Sequence, residues 1–262
     1  MIQQIDSQSV YIPLAGNPGC AAGLKEAEKR VSEDSEITHV LVVDDDAELL
    51  PGCIDKLIEA IHERSVGAAV PLIEDEGGRV TSFAGKLAEP MWSAIKVGPL
   101  AAEFHARFAN QVLSVEWFPG VCFVFRCDLL GAVGLHDSGF WMMGEDLDYS
   151  LRLTSAAGGV LVVDARAKHL PPTPQMTSRA DAFSFVKALA MVMNSLFLAI
   201  HTSHGRPLRR HIAGNVFRFV RKFRNRKTLW RDLTEVAFLA IVKRERAGDG
   251  GYSKIRAEHL QD

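Results

Sequence analysis

Residues Thr38–Asp46 read THVLVVDDD, a short β-branched run that ends on three consecutive carboxylates. An unbroken apolar run of this length is the pattern of a strand buried on both faces, as in a parallel sheet. Upstream, Gly23–Arg30 is helix-forming, and downstream Pro51–Arg64 sets Ile54, Leu57, Ile58 and Ile61 at the spacing of one helical face. Strand alternating with helix predicts an α/β sheet. Further strands are predicted over Gly67–Ile73, Val80–Leu87, Trp117–Arg126 and Val160–Ala165, with a turn at Glu74–Gly78 and a loop with a short helix over 88–114. A helix starts near Glu145, takes its apolar side from Leu147, Leu151 and Leu153, and stops at Gly158-Gly159.

The chain has 262 residues, 47% hydrophobic and 24% charged, which excludes a disordered, collagenous or coiled-coil protein. Its net charge of −2 hides a segregation: Arg206–Arg231 holds ten Lys/Arg and no Asp or Glu, leaving 20 basic against 32 acidic residues elsewhere. Four cysteines form no CxxC pair and read as reduced core thiols of a cytosolic protein. The N-terminal residues lack the basic and apolar regions of a signal peptide.

The character changes near Arg179. Phe183–Ile200 is mostly apolar and long enough to be weighed as a membrane span. Ser184, Lys187, Met191 and Asn194 fall on one stripe of it, so a buried or interface-lying helix is expected instead. In the basic stretch Ile212, Val216, Phe219, Val220 and Phe223 share a face away from Arg210, Arg218, Arg221 and Arg224. That is the pattern of a helix in a membrane interface, and equally of one packed on its own domain with a solvated basic side. Another helix is predicted over Leu229–Arg246, followed by a frayed tail after Gly248.

Crowded carboxylates at a strand end raise one another's pKa unless something compensates. A divalent cation does so, and so does plain solvation as an acidic turn. Gly16–Gly23 is a small-residue loop opening a helix, suited to facing a ligand with backbone N–H groups or to serving as a turn. Glu145-Asp146-Leu147-Asp148 opens another helix, where carboxylates serve the helix dipole or present a proton acceptor to a cleft.

The order N-x-G-x-x-x-G (Asn17–Gly23), DDD (Asp44–Asp46), W-x-x-G (Trp117–Gly120), G-E-D-x-D-Y-x-L-R (Gly144–Arg152) and a late His169 resembles family 2 inverting glycosyltransferases of the GT-A fold, notably bacterial galactofuranosyl- and rhamnosyltransferases. The resemblance covers roughly residues 10–175. It implies a Rossmann-like, mixed but mainly parallel sheet over 1–178, a basic helical appendage over 179–247, and a tail over 248–262. Asn17, Gly19, Asp44 and Asp45 would bind the nucleotide donor. Asp44, Asp46 and His169 would hold Mn²⁺ or Mg²⁺, His169 being otherwise an ordinary histidine. Asp146 would be the catalytic base. Asp148 and Glu145 would orient the acceptor, and Trp117, unless it is a core residue, would stack on it.

The implied reaction moves a sugar from a UDP- or dTDP-linked donor to a glycan or lipid-linked acceptor in cell-envelope polysaccharide synthesis. The implied place is the cytoplasm, with residues 205–231 meeting an anionic membrane surface. Nucleic acid is not an expected partner, since the body is acidic and no nucleic-acid motif occurs. Such enzymes carry a pair of strand–helix units before the N-x-G loop. Here about fifteen residues precede it. The expected sheet is therefore N-terminally shortened, and a non-catalytic binding or scaffold protein is the competing expectation.

Overall fold

The computed structural model describes residues 9–82, 84–86, 101–170, 180–202 and 205–260. Expectations for residues 87–100 and for Pro171–Pro174 lie outside them. In chain order the elements are α1 (Cys20–Ser32), β1 (His39–Val43), β2 (Ala47–Leu49), α2 (Cys53–Arg64), β3 (Ala68–Glu74), β4 (Val80–Ser82), α3 (Ala101–Phe108), β5 (Val112–Val115), β6 (Cys122–Arg126), α4 (Leu129–Val133), α5 (Glu145–Ala157), β7 (Gly159–His169), α6 (Ala180–His201), α7 (Gly205–Phe223), α8 (Leu229–Phe238) and α9 (Gly250–Leu260). A π-helical turn, Leu239–Lys243, extends α8.

One mixed sheet runs β1-β6-β3-β7-β2, with β4 on β3 and β5 on β7. Parallel pairing is confined to β3 with β7, and the other described pairs are antiparallel. The sheet is mixed, as expected, with a larger antiparallel share than the expectation held. β1, β3 and β7 do share a direction, but β6 enters between β1 and β3 against both. A strand buried on both faces has the same composition whichever way it runs, so apolar runs alone do not reveal this. β1 is also an edge strand: Val42 is buried, while Leu41 and Val43 are each 37% exposed. Its apolar run had suggested burial on both sides.

The sheet alternates its side chains between two layers. Val70, Leu72, Phe123, Phe125, Leu161 and Val163 point to the side covered by Leu24 of α1, Leu129 of α4, and Tyr149 and Leu153 of α5. Ala69, Val124, Val160 and Val162 point to α2, against Leu57 and Ile61. β3 is buried along its whole length, and at Pro71 its pairing with β7 slips from Val162 to Arg166. Proline has no N–H to donate, so the ladder breaks there.

The C-terminal helices build a separate apolar cluster from Phe185, Val186, Leu189, Met193, Phe219, Val236 and Tyr252, and Trp141 from the loop before α5 joins it. Val216, Phe219, Val220 and Phe223 of α7 pack into this cluster, with Phe185 5.4 Å from Phe219 and 5.1 Å from Phe223. That face is therefore not available to enter a bilayer, and the basic face of Arg218, Arg221, Lys222 and Arg224 is the exposed one. The expected frayed tail instead forms α9, with Tyr252 and Ile255 buried. Arg226 donates to His259 Nδ1 (3.0 Å), so the other ring nitrogen carries the proton given to buried Asp232 (2.9 Å). Among the described residues one helix, over Ser184–His201, is long and apolar enough to cross a membrane, and half of it is buried in the protein.

Candidate active site

Asp44 follows the last residue of β1, and β2 begins three residues later, pairing Ala47 with His169 at the end of β7. That register sets His169 Nε2 3.2 Å from Asp46 Oδ1, while Leu170 N donates to Asp46 O (2.7 Å). One donor atom from each of Asp44, Asp46 and His169 lies within 4.8 Å of the others. Partial burial, then Asp46, push the Asp44 carboxyl up to about 6; His169 pulls the other way, while Asp45 and Asp146 add to the rise. Two carboxylates and an imidazole, short of positive charge, are a fitting donor set for Mn²⁺ or Mg²⁺. Asp45 is exposed beside them.

α5 opens on a turn that few residues tolerate. Met143 has φ +67° and Gly144 φ +100°. The turn places Glu145 and Asp146 at the first positions of the helix, without a side-chain cap. Asp146 Oδ1 accepts from Leu147 N (2.8 Å) and Oδ2 from Gly120 N (3.4 Å). Gly120 approaches so closely that a Cβ there would lie 3.3 Å from that of Asp146. The next peptide carries the link onward, since Asp44 N donates to Val121 O (2.9 Å). The acidic trio and Asp146 thus flank one short piece of backbone.

Burial raises the Asp146 carboxyl above its ordinary range, against several backbone N–H donors that favour its charge. Glu145 is raised by burial first and by Asp146 second, while Lys187 of α6 favours its ionised form. Cys20 Sγ donates to Glu145 Oε1 (3.0 Å), and Glu145 Oε2 is buried without a hydrogen-bond partner among the described residues. The other face of α5 is fastened to α1. Buried Glu28 accepts from His136 N (2.7 Å) and lies 2.7 Å from its Nδ1, and the His136 ring stacks on Tyr149 at 3.7 Å.

The remaining expected residues divide. Asn17 is exposed. Gly19, at φ +92°, sits where a Cβ would come within 1.9 Å of Trp141 O, and that carbonyl accepts the N–H of Cys20 (3.1 Å). The first N–H of α1 is therefore already engaged, and Gly19 lets α1 meet the loop before α5. Trp117 is half-buried with Nε1 enclosed and unpartnered among the described residues, whereas Phe118 is core. Asp148 turns to Arg152, accepting from Nε (2.9 Å) and Nη2 (2.7 Å). An aspartate one turn before an arginine pairs along the helix surface, and here Oδ2 takes both bonds. Lys187, Cys20 and Trp141 were not singled out as site residues, although Lys187 stood out as a polar residue on an apolar helix.

The family described as Glycosyl transferase family 2 matches residues 1–131, half of the chain. Over 151 residues the chain is 28% identical to the O-antigen biosynthesis protein RfbC of Myxococcus xanthus, covering 55% of this chain and 11% of that protein. Over 141 residues it is 30% identical to the N-acetylglucosaminyl-diphospho-decaprenol L-rhamnosyltransferase of Mycobacterium tuberculosis, covering 50% of this chain and 46% of the relative. The aligned part spans less than half the length of either relative. Solved structures with similar shape include GalNAc-T7 with UDP, GalNAc and Mn²⁺, at TM-score 0.43 and 14% identity, covering 78% of this chain and 44% of that one. S. aureus TarS 1-349 aligns at TM-score 0.47 and 11% identity, covering 86% and 62%.

Proposed function

This chain belongs to glycosyl transferase family 2, and we propose that it is a metal-dependent inverting glycosyltransferase of cell-envelope polysaccharide synthesis. The observation that carries the reading is the adjacency of Asp44, Asp46 and His169 to Asp146 across the Gly120–Val121 backbone. Asp44, Asp46 and His169 would hold Mn²⁺ or Mg²⁺, whose charge offsets that developing on a leaving nucleoside diphosphate. Asp146 Oδ accepts the proton of the acceptor hydroxyl as that oxygen bonds to the anomeric carbon. The bond from that carbon to the diphosphate oxygen breaks on the opposite face, so configuration inverts and no covalent sugar–enzyme intermediate forms. A carboxylate held above its usual pKa is the stronger base for this step, provided it is ionised. Half-buried Trp117 offers an apolar ring to an acceptor sugar. Exposed Asn17 and Asp45, with Gly19, are the donor-side contacts in this reading.

The name of the rhamnosyltransferase relative favours a lipid-diphosphate sugar acceptor, and a UDP- or dTDP-linked donor is part of this reading. Incubating the chain with a panel of such donors, a GlcNAc-diphospholipid acceptor and Mn²⁺ is expected to give cation-dependent transfer. Absence of transfer, of donor hydrolysis and of donor-dependent thermal stabilisation would favour the non-catalytic scaffold.

A cytoplasmic site on an anionic membrane is part of this reading, through a surface other than the apolar face of α7. Trp230, Phe238, Ile241 and Val242 are 67%, 48%, 42% and 62% exposed. Exposed Lys227, Lys243 and Arg244 accompany them. Aromatic and aliphatic groups beside cations suit an anionic lipid interface. Sedimentation with phosphatidylglycerol-rich vesicles, but not with pure phosphatidylcholine, is expected. It should weaken in Trp230→Ala and Val242→Ser, and equal sedimentation with both vesicle types would refute the surface.

A further inference from the structure

Helix α6 is apolar along most of its length, yet Asn194 near its middle is fully buried. Its side chain is spent on backbone. Nδ2 donates to Met142 O (3.1 Å) and Met143 O (2.7 Å), and Oδ1 accepts from Ala247 N (2.8 Å). The two carbonyls belong to the turn that ends at Gly144 and launches Glu145 and Asp146. Met143 sits there at φ +67°, a conformation that persists only where the surroundings over-determine it. A Cβ on Gly144 would lie 3.3 Å from the Cβ of Asn194, so helix and turn are in close contact.

The rest of that loop is held from the same direction. Arg246 pairs with Asp137, and Gly248 N donates to Gly139 O (2.7 Å). Lys187, two helical turns before Asn194 on the same stripe, is the cation that favours ionised Glu145. Two residues of the stripe that interrupts the apolar run of α6, Lys187 and Asn194, are therefore turned toward the start of α5.

We propose that Asn194 is a positioning residue: it clamps the Met142–Met143 turn so that Asp146 is presented toward the Gly120–Val121 backbone. The assignment rests on Asp146 being the base. It makes the C-terminal helices part of the catalytic frame. The donor side, on β1 and β7, is built without Asn194.

The test uses the full chain with Asn194→Leu, close in size but without polar atoms, and Asn194→Asp, which keeps an acceptor for Ala247 N and loses the amide donors. Val192→Ala, a buried apolar change on the same helix, controls for general destabilisation. Asn194→Leu is expected to lower kcat by about tenfold or more, while donor KM and Mn²⁺ affinity stay within about twofold. Amide hydrogen exchange over residues 140–148 should accelerate by at least about tenfold with β3 unchanged. Asn194→Asp should lie between Asn194→Leu and the parent, and it serves as the test if Asn194→Leu does not fold. The proposal is overturned if kcat falls no further than in Val192→Ala, or if exchange rises equally across the sheet. Should the parent chain show no transfer at all, the functional reading fails, and the exchange measurement alone still decides whether Asn194 holds the turn.

Discussion

Asp146→Asn is expected to lower the rate of sugar transfer by about 10³-fold, within the range for losing a general base. Donor and Mn²⁺ affinities should stay within about twofold, because the substitution preserves shape and leaves the Asp44, Asp46 and His169 cluster untouched. The Asn oxygen can still accept from Leu147 N or Gly120 N, so the start of α5 keeps its anchor. Stability should move the other way. The Asp146 and Glu145 carboxyls lie above their ordinary range because they are buried together. The stability tied to their protonated forms is fully present below the unfolded carboxylate value of about 4, and is lost as pH rises through the raised values. Removing one of the two charges should therefore make the variant melt higher than the parent above the Glu145 value of about 7, with the gap closing as pH falls below it. Parent activity should rise with pH, since burial raises the Asp146 carboxyl and only its ionised form accepts a proton. Initial rates, calorimetric titration and melting curves across that range check all three, and undiminished turnover would remove Asp146 from the role.

Asp46→Ala and His169→Ala should each reduce cation-dependent transfer by about 10²-fold or more, and Asp44→Ala at least as much. The activity-independent readout is the melting temperature. Mn²⁺ should raise it in the parent by offsetting the partial burial and the neighbouring carboxylates that push Asp44 up to about 6. The rise should vanish in the three ligand variants and survive in Asp45→Ala, whose side chain stands outside the cluster. Dialysis against a chelator should abolish parent activity, and Mn²⁺ should restore it. Full activity after chelation would show that these donors hold no working cation.

The parts of the site legible in the sequence are those where a local signal coincides with a chemical one. A strand ending on Asp44–Asp46, a helix starting at Glu145, and a histidine after an apolar run can each be read within a short window. Their meeting depends on pairings that such a window does not contain. The Ala47–His169 register brings His169 to Asp46, and the Gly120–Asp146 contact joins the turn before β6 to α5. The same limit hides the direction of β6 and the edge position of β1, since strand order follows from long-range pairing rather than composition. Asp148, expected as an acceptor contact, also pairs with Arg152 one turn later, a local pairing that the sequence spacing already contains. Asn194 could be noticed as a polar residue on an apolar helix, but its function is visible only in the two carbonyls it holds.

The order of synthesis adds a consequence. Every acidic group of the centre leaves the ribosome by residue 148, yet the backbone that steadies the Asp137–Gly144 loop includes Ala247 and Gly248. A nascent chain arrested between these points would own the reactive groups without their scaffold. The proposed base would therefore gain its support only after Ala247 and Gly248 have been made.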